Sequence, residues 1–212
     1  MLSSASLLVF CALVSAPSGA PMNLADAKQA VIRYHDSGRW DHDSMVVAEK
    51  AVHWIDSRAG KVRKPALVLD IDETALLNWP EERKTDFGYV ADLWNAWEKE
   101  GKAPASKAIL YVFKNAVKHR VSVFFLTGRR EPSREGTARN LRTVGYVGYT
   151  RLILRAPSDH RSSAATYKAA ERAKIEASGY RIIANIGDQQ SDLSGGHSER
   201  SYKLPNPMYF IP

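Results

Sequence analysis

Cysteine is almost missing from this chain: Cys11 is the only one in 212 residues, and it lies in an apolar amino-terminal stretch. Beyond that stretch the chain has no disulfide, no cysteine nucleophile and no thiolate metal site. Such a chain tolerates an oxidising compartment without requiring one. The residues before Cys11, Leu8-Val9-Phe10, lack the small side chains of a lipoprotein cleavage site, so no lipid anchor is expected. Long Lys/Arg blocks are missing too. The formal net charge of +7 suits anionic partners, from phosphate compounds to nucleic acid or a membrane surface. Without a basic run or an RNA-binding signature, however, a nucleic-acid polymer is not expected. No internal repeat, low-complexity linker or membrane-spanning run is visible.

Charge is also absent from Met1 to Ala20. Leu7 to Val14 is an apolar run too short to span a bilayer, followed by small residues and Pro17. Residues 1–20 therefore read as signal-peptide-like, which implies a secreted or periplasmic protein. The fit is imperfect, because no Lys or Arg precedes the apolar run and Pro21 directly follows Ser18-Gly19-Ala20. The remaining length suits one α/β domain with some decoration.

That domain is expected over 61–212, preceded by a helical arm over 21–60. Leu24 to Tyr34 and Asp41 to Arg58 read as helices. The second presents a stripe of Val46, Val47, Lys50, Ala51, Trp54 and Ile55. His35, His42 and His53 have no metal-ligand spacing and read as surface or packing residues. Ala66 to Leu69 is a short apolar run, the signature of a strand buried on both faces. Residues 78–104 read as a cap insertion in which Pro80 forbids a long helix. Its aromatics offer two roles. Trp94 and Trp97, three apart, suit a small core of the insertion itself, whereas Trp79, Phe87 and Tyr89 suit either such a core or stacking on a ligand. Helices follow over 105–119, 132–144 and 162–178. Strands are expected over 121–126, 151–155 and 181–186, with a short edge strand in the closing segment 202–211.

Strand and helix alternate, so the sheet should be parallel and all its carboxyl ends should share one rim. Ligands bind at such a rim. The first strand ends in Asp70-Ile71-Asp72-Glu73-Thr74, the second in Thr127-Gly128-Arg129-Arg130, and the fourth in Gly187-Asp188-Gln189-Gln190-Ser191-Asp192. Lys168 arrives from a helix. Clustered acids at a buried strand end repel one another unless a cation sits among them; the bland alternative is an acidic loop that only caps the next helix. Oxygen ligands without His or Cys select a hard cation, Mg²⁺ above all. Thr127 and the backbone N–H groups around Gly128 suit phosphate oxygens. One aspartate beside the metal can act as nucleophile while another, two residues on, handles protons.

The segments DIDET, FLTGRR, YKAAERAKI and GDQQSD, in that order, make the chain resemble the haloacid dehalogenase-like phosphatases. More narrowly it is similar to the class B and class C acid phosphatases of bacteria and to plant vegetative storage proteins. VIRYHDSGRW near the start and SYKLPNPMYFIP at the close are similar as well. The resemblance spans roughly Val31 to Pro212. It implies a Rossmann-like three-layer α/β/α fold with a parallel sheet, a small helical cap and the amino-terminal arm. It also implies that Asp70 is the nucleophile and Asp72 the acid/base, with Thr127, Gly128 and Lys168 holding the phosphoryl group. The implied Mg²⁺ ligands are Asp70, Asp188 and the backbone carbonyl of Asp72, with Asp192 in support. Thr74 would orient the first motif and Glu73 would face away. Arg129 counts as a supporting residue, although it and Arg172 are equally readable as solvated charges. The expected activity is a Mg²⁺-dependent acid phosphatase acting on small organic phosphomonoesters, nucleoside monophosphates favoured, through an aspartyl-phosphate. The alternatives are a phosphotransferase using the same intermediate, or a weakly active storage or binding protein. Oligomer formation is left open.

Overall fold

The computed structural model describes residues 21–161 and 163–211. The signal-like segment 1–20, Cys11 included, lies outside the described residues. The elements run α1 (Leu24–Asp36), α2 (Arg39–Arg58), β1 (Pro65–Leu69), α3 (Trp79–Lys84), α4 (Ala91–Glu100), α5 (Lys107–Lys118), β2 (Ser122–Arg130), α6 (Arg134–Thr143), β3 (Arg151–Arg155), α7 (Ala164–Ala177), β4 (Arg181–Gly187), α8 (Gln190–Leu193) and β5 (Ser201–Lys203). The five strands form one sheet in the order β3-β2-β1-β4-β5, and every neighbouring pair is parallel.

The alternation of side chains along the two central strands sets the layers. Leu67, Leu69, Val123 and Phe125 join Ile55, Val112 and Phe113 in one core. Ala66, Val68, Phe124 and Leu126 face the other way, onto Tyr167 and Ile175 of α7. The chain steps from β1 to β2 to β3 with α5 and α6 on one face, then returns past β1 to β4 with α7 on the other. Right-handed crossovers taken in opposite directions require that split. The reversal falls between β1 and β4, where the carboxyl ends open a crevice. This is the expected three-layer architecture.

Helix α2 packs on the sheet through a stripe that keeps Val47, Ala51, Trp54 and Ile55 of the expected one but is rotated away from Val46 and Lys50. Ser44, Ala48, Ala51, Val52 and Ile55 are buried, while Val46 and Lys50 face solvent. The small side chains of Ser44, Ala48 and Ala51 let the helix approach the sheet closely, and that outweighs the larger apolar area of Val46. Trp54 follows the expectation and donates its Nε1–H to the Ile183 carbonyl at 2.8 Å. Strand β2 runs to Arg130 rather than stopping at 126, because Arg130 pairs with Arg155 of β3. In the cap, α4 presses on α6 so tightly that a Cβ on Gly136 would stand 2.7 Å from the Lys99 Cα. Among the described residues no helix is long and apolar enough to cross a membrane.

Candidate active site

Asp70 extends β1 by one ladder bond, its N–H donating to the Ile186 carbonyl at 3.0 Å. Its carboxylate is buried at the crevice between β1 and β4. Asp188 follows β4 directly, and Asp192 returns from α8 over Gly187. A Cβ on Gly187 would stand 2.6 Å from the Asp192 Cγ, so only glycine leaves room for that carboxylate. The Gln189 N–H, at 2.8 Å from Asp192 Oδ2, fixes the side chain from the other side. The result is one oxygen from each of Asp70, Asp188 and Asp192 within 4.8 Å of one another. Lys168, buried on the second turn of α7, donates to Asp70 Oδ1 at 2.6 Å and also to Asp192 Oδ1. Thr74 Oγ1 donates to Asp188 Oδ1 at 3.1 Å and so links the first acidic segment to the one after β4.

Asp72 stands apart from those three carboxylates. Arg129 grips it with Nη2 at 2.7 Å and Nε at 3.0 Å from Oδ1, and Asn78 Nδ2 adds a third donor at 2.9 Å. Arg129 is no solvated charge. The alternation of β2 continues past Leu126, so Thr127 and Arg129 point inward while Gly128 and Arg130 are exposed. Arg172 is also buried, its guanidinium spent on the carbonyls of Gly196, Asp192 and Ser194. It ties α7 to the loop after α8 and does not line the cavity described below. Glu73 has a left-handed backbone, φ 53°, and does not line the cavity described below. It is nevertheless buried: it accepts from the Asn78 N–H at 2.6 Å and from Tyr209 Oη at 2.7 Å.

The electrostatics follow from this burial. Desolvation, reinforced by Asp192, Asp188 and Asp72, pushes the Asp70 carboxyl well above the usual range despite the opposing Lys168. Asp188 rises to about 6, from burial first and then from Asp192. Burial opposes the charge on Lys168, but the carboxylates of Asp192 and Asp70 outweigh it and keep it an ammonium. Asp72 is the exception. Burial acts to raise it, yet the charge and hydrogen bonds of Arg129 hold it below the ordinary carboxylate range.

A cavity of about 460 Å³ opens over these groups. Asp70, Asp72, Gly128, Lys168, Asp188 and Asp192 form its floor. Thr127 lies fully buried beneath it, its Oγ1 accepting from the Arg129 N–H at 3.1 Å. The cap supplies Phe87, Tyr89 and Trp94 to the wall, together with Glu82 and Glu98. Trp94 thus belongs to the cavity and not to a separate cap core, and it stacks on Tyr89 with centroids 6.2 Å apart. Trp79 does the reverse, stacking on His35 at 3.7 Å outside the cavity. Trp97 sits behind the wall and donates to Asn78 Oδ1 at 2.8 Å. Sequence reasoning missed Asn78, Glu82, Glu98 and Tyr209. Their signal is faint: acids or amides in the cap and an aromatic in the closing segment, with nothing to show burial.

The donor set fits a hard divalent cation. It consists of oxygens alone, three of them already converge, and the charge they share is mutually repulsive without a cation. Around an octahedral ion with Mg–O near 2.1 Å, ligand oxygens lie roughly 3 to 4 Å apart, so this cluster needs only a small contraction.

The comparisons agree with the geometry. The family model for the HAD superfamily, subfamily IIIB (acid phosphatase), matches residues 11–212. Acid phosphatase 1 of Solanum lycopersicum is 41% identical over 148 residues, which are 68% of this chain and 58% of that protein. The chain therefore spans less than two thirds of that relative's length. The stem 28 kDa glycoprotein of Glycine max is 35% identical over 190 residues, 86% of this chain and 74% of that protein. The class C acid phosphatase from Bacillus anthracis superposes with a TM-score of 0.73 at 23% identity, covering 87% of this chain and 86% of that one. At that identity the likeness establishes the fold.

Proposed function

The chain belongs to subfamily IIIB of the HAD superfamily, the acid phosphatases, and on that footing we propose that it hydrolyses small organic phosphomonoesters through a phosphorylated Asp70. The observation that carries this reading is the placing of Asp70 beside Asp188, Asp192 and Lys168, with Asp72 held separately by Arg129. Two carboxylates two residues apart thus sit in different environments, Asp70 among acids beside Lys168 and Asp72 in the grip of Arg129, and a cation bound beside Asp70 would lower it to the carboxylate that a nucleophile must be.

Asp70, Asp188 and the backbone carbonyl of Asp72 would hold Mg²⁺, with Asp192 behind them. Bound there, the ion supplies positive charge that relieves the carboxylate repulsion and neutralises the phosphate. In the first half-reaction an Asp70 oxygen attacks phosphorus. The bond to the leaving oxygen breaks, and Asp72 passes that oxygen a proton. A bound phosphate's negative charge raises the Asp72 carboxyl toward the protonated form that this step needs. In the second half Asp72, now the carboxylate favoured by Arg129, takes a proton from water. The water oxygen attacks phosphorus, the acyl-phosphate bond breaks, and inorganic phosphate leaves with Asp70 restored. Lys168 and the Gly128 N–H, at the cavity, steady the phosphoryl oxygens throughout, while Thr127, buried below them, braces the loop through the Arg129 N–H.

Phe87, Tyr89 and Trp94 on the wall favour substrates with flat leaving groups, nucleoside monophosphates among them. The signal-like segment and the glycoprotein name of the soybean relative support a secreted or periplasmic location. Acid quenching during turnover of a radiolabelled phosphomonoester tests the mechanism. Label should remain on the wild-type protein and be absent from Asp70→Asn, which should fold normally and show no turnover. Turnover by the folded Asp70→Asn protein above a small residue would contradict the assignment.

A further inference from the structure

The segment after β5 folds back across the candidate metal site. Leu204 N–H donates to the Gly187 carbonyl at 2.9 Å, and Lys203 Nζ reaches the Asp188 carbonyl at 2.9 Å. Asn206 then does two separate things. Its Oδ1 accepts from the Met208 N–H at 2.8 Å and the Tyr209 N–H at 3.4 Å, closing a local turn. Its Nδ2 donates to Asp188 Oδ2 at 2.8 Å. That oxygen also accepts from Gln189 Nε2 at 2.7 Å, while Thr74 holds Oδ1.

Asp188 is thus fixed at both oxygens, and one of its donors comes from a segment that shares no element with the acidic motifs. We propose that Asn206 is a positioning residue that aims the Asp188 carboxylate at the divalent cation, which makes the segment after β5 part of the metal site. The inference rests on the metal reading given above and adds to it a residue outside the cluster of acids. Partners of ligating carboxylates set ligand orientation, and their loss typically lowers metal affinity by about 10- to 100-fold. The two halves of the Asn206 side chain allow the roles to be separated. Serine at this position can still accept from the turn N–H groups, but it is too short to reach Asp188.

The test is calorimetric titration of Mg²⁺ into the resting wild-type, Asn206→Ala and Asn206→Ser proteins. It is paired with the Mg²⁺ concentration that gives half-maximal hydrolysis. Both variants should bind Mg²⁺ roughly 10- to 100-fold more weakly, with the half-maximal concentration moving by the same factor and kcat at saturating Mg²⁺ within a few-fold of wild type. If Ser restores wild-type affinity, Asn206 only closes the turn and the proposal falls. Should Asn206→Ala fail to fold, the Asn206→Ser titration decides alone. Unchanged affinity in the folded variants, with the wild type binding Mg²⁺, would overturn this inference and leave the metal reading standing. No Mg²⁺ binding by the wild type would remove the metal reading and this inference with it.

Discussion

Arg129 decides the state of Asp72. Stripping a fully buried carboxylate of its cation costs about 3 to 5 kcal/mol; the Asp72 side chain is 25% exposed at the cavity, so Arg129→Met should lose less than that in denaturant titrations at pH 7, about 1 to 3 kcal/mol. The sign of its pH dependence is fixed. In the wild type the Asp72 carboxyl is held below its unfolded value, so its contribution is present above that value and fades only as pH falls through the folded one. In Arg129→Met the unpaired carboxyl is raised instead, so the deficit should shrink toward pH 4.5; a deficit equal at both pH values would refute the assignment. Glu82 behaves oppositely. Burial first, then Asp72 and Glu81, raise it from 4.5 to about 7, and its Oε1 has no hydrogen-bond partner. The folded chain therefore keeps a proton that the unfolded chain releases, and stability falls as pH climbs from about 4.5 to about 7. Melting curves of the chelator-treated protein should show Glu82→Gln losing less stability across that window than wild type. Parallel curves would show that Glu82 is ionised in the fold. Asp70, Asp188 and Lys168 were legible from motif order, since two strand ends and the start of α7 deliver them to one rim. Arg129 and Glu82 were not, because a charged letter in a sequence carries no sign of its burial.

The β4–α8 turn is the element that builds the cluster. Its success depends on Gly187 having no Cβ, which lets Asp192 fold back against the strand end. Gly187→Ala must displace Asp192 or the turn, an overpacking cost of about 1 to 3 kcal/mol, and it should also weaken Mg²⁺ binding. A variant with wild-type stability and metal affinity would mean that Asp192 tolerates displacement. Most strands and helices could be read from the sequence, because apolar runs and helical spacing report burial directly. Where the reading slipped, packing overrode pattern. Helix α2 buries Ser44 and Ala48 beside Ala51, Val52 and Ile55 while Val46 faces solvent, and β2 continues through Thr127-Gly128-Arg129 because β3 offers Arg130 a partner. The sequence also could not show whether the cap aromatics face the cavity. Trp94 faces the cavity and not the cap core expected for it, stacked on Tyr89, and Trp79, for which both roles were open, packs outside the cavity on His35, far away in the chain.

At the scale of the whole molecule, a reversal in strand order gathers four separated motifs at one crevice, and an all-oxygen set of buried acids accumulates there. Such a cluster should work only with a divalent cation. The most direct measurement is hydrolysis of an aryl phosphate by the purified protein, before and after treatment with EDTA and again after adding Mg²⁺. Activity should disappear with the chelator and return with the metal. Undiminished hydrolysis by the metal-stripped protein would contradict that dependence on the cation.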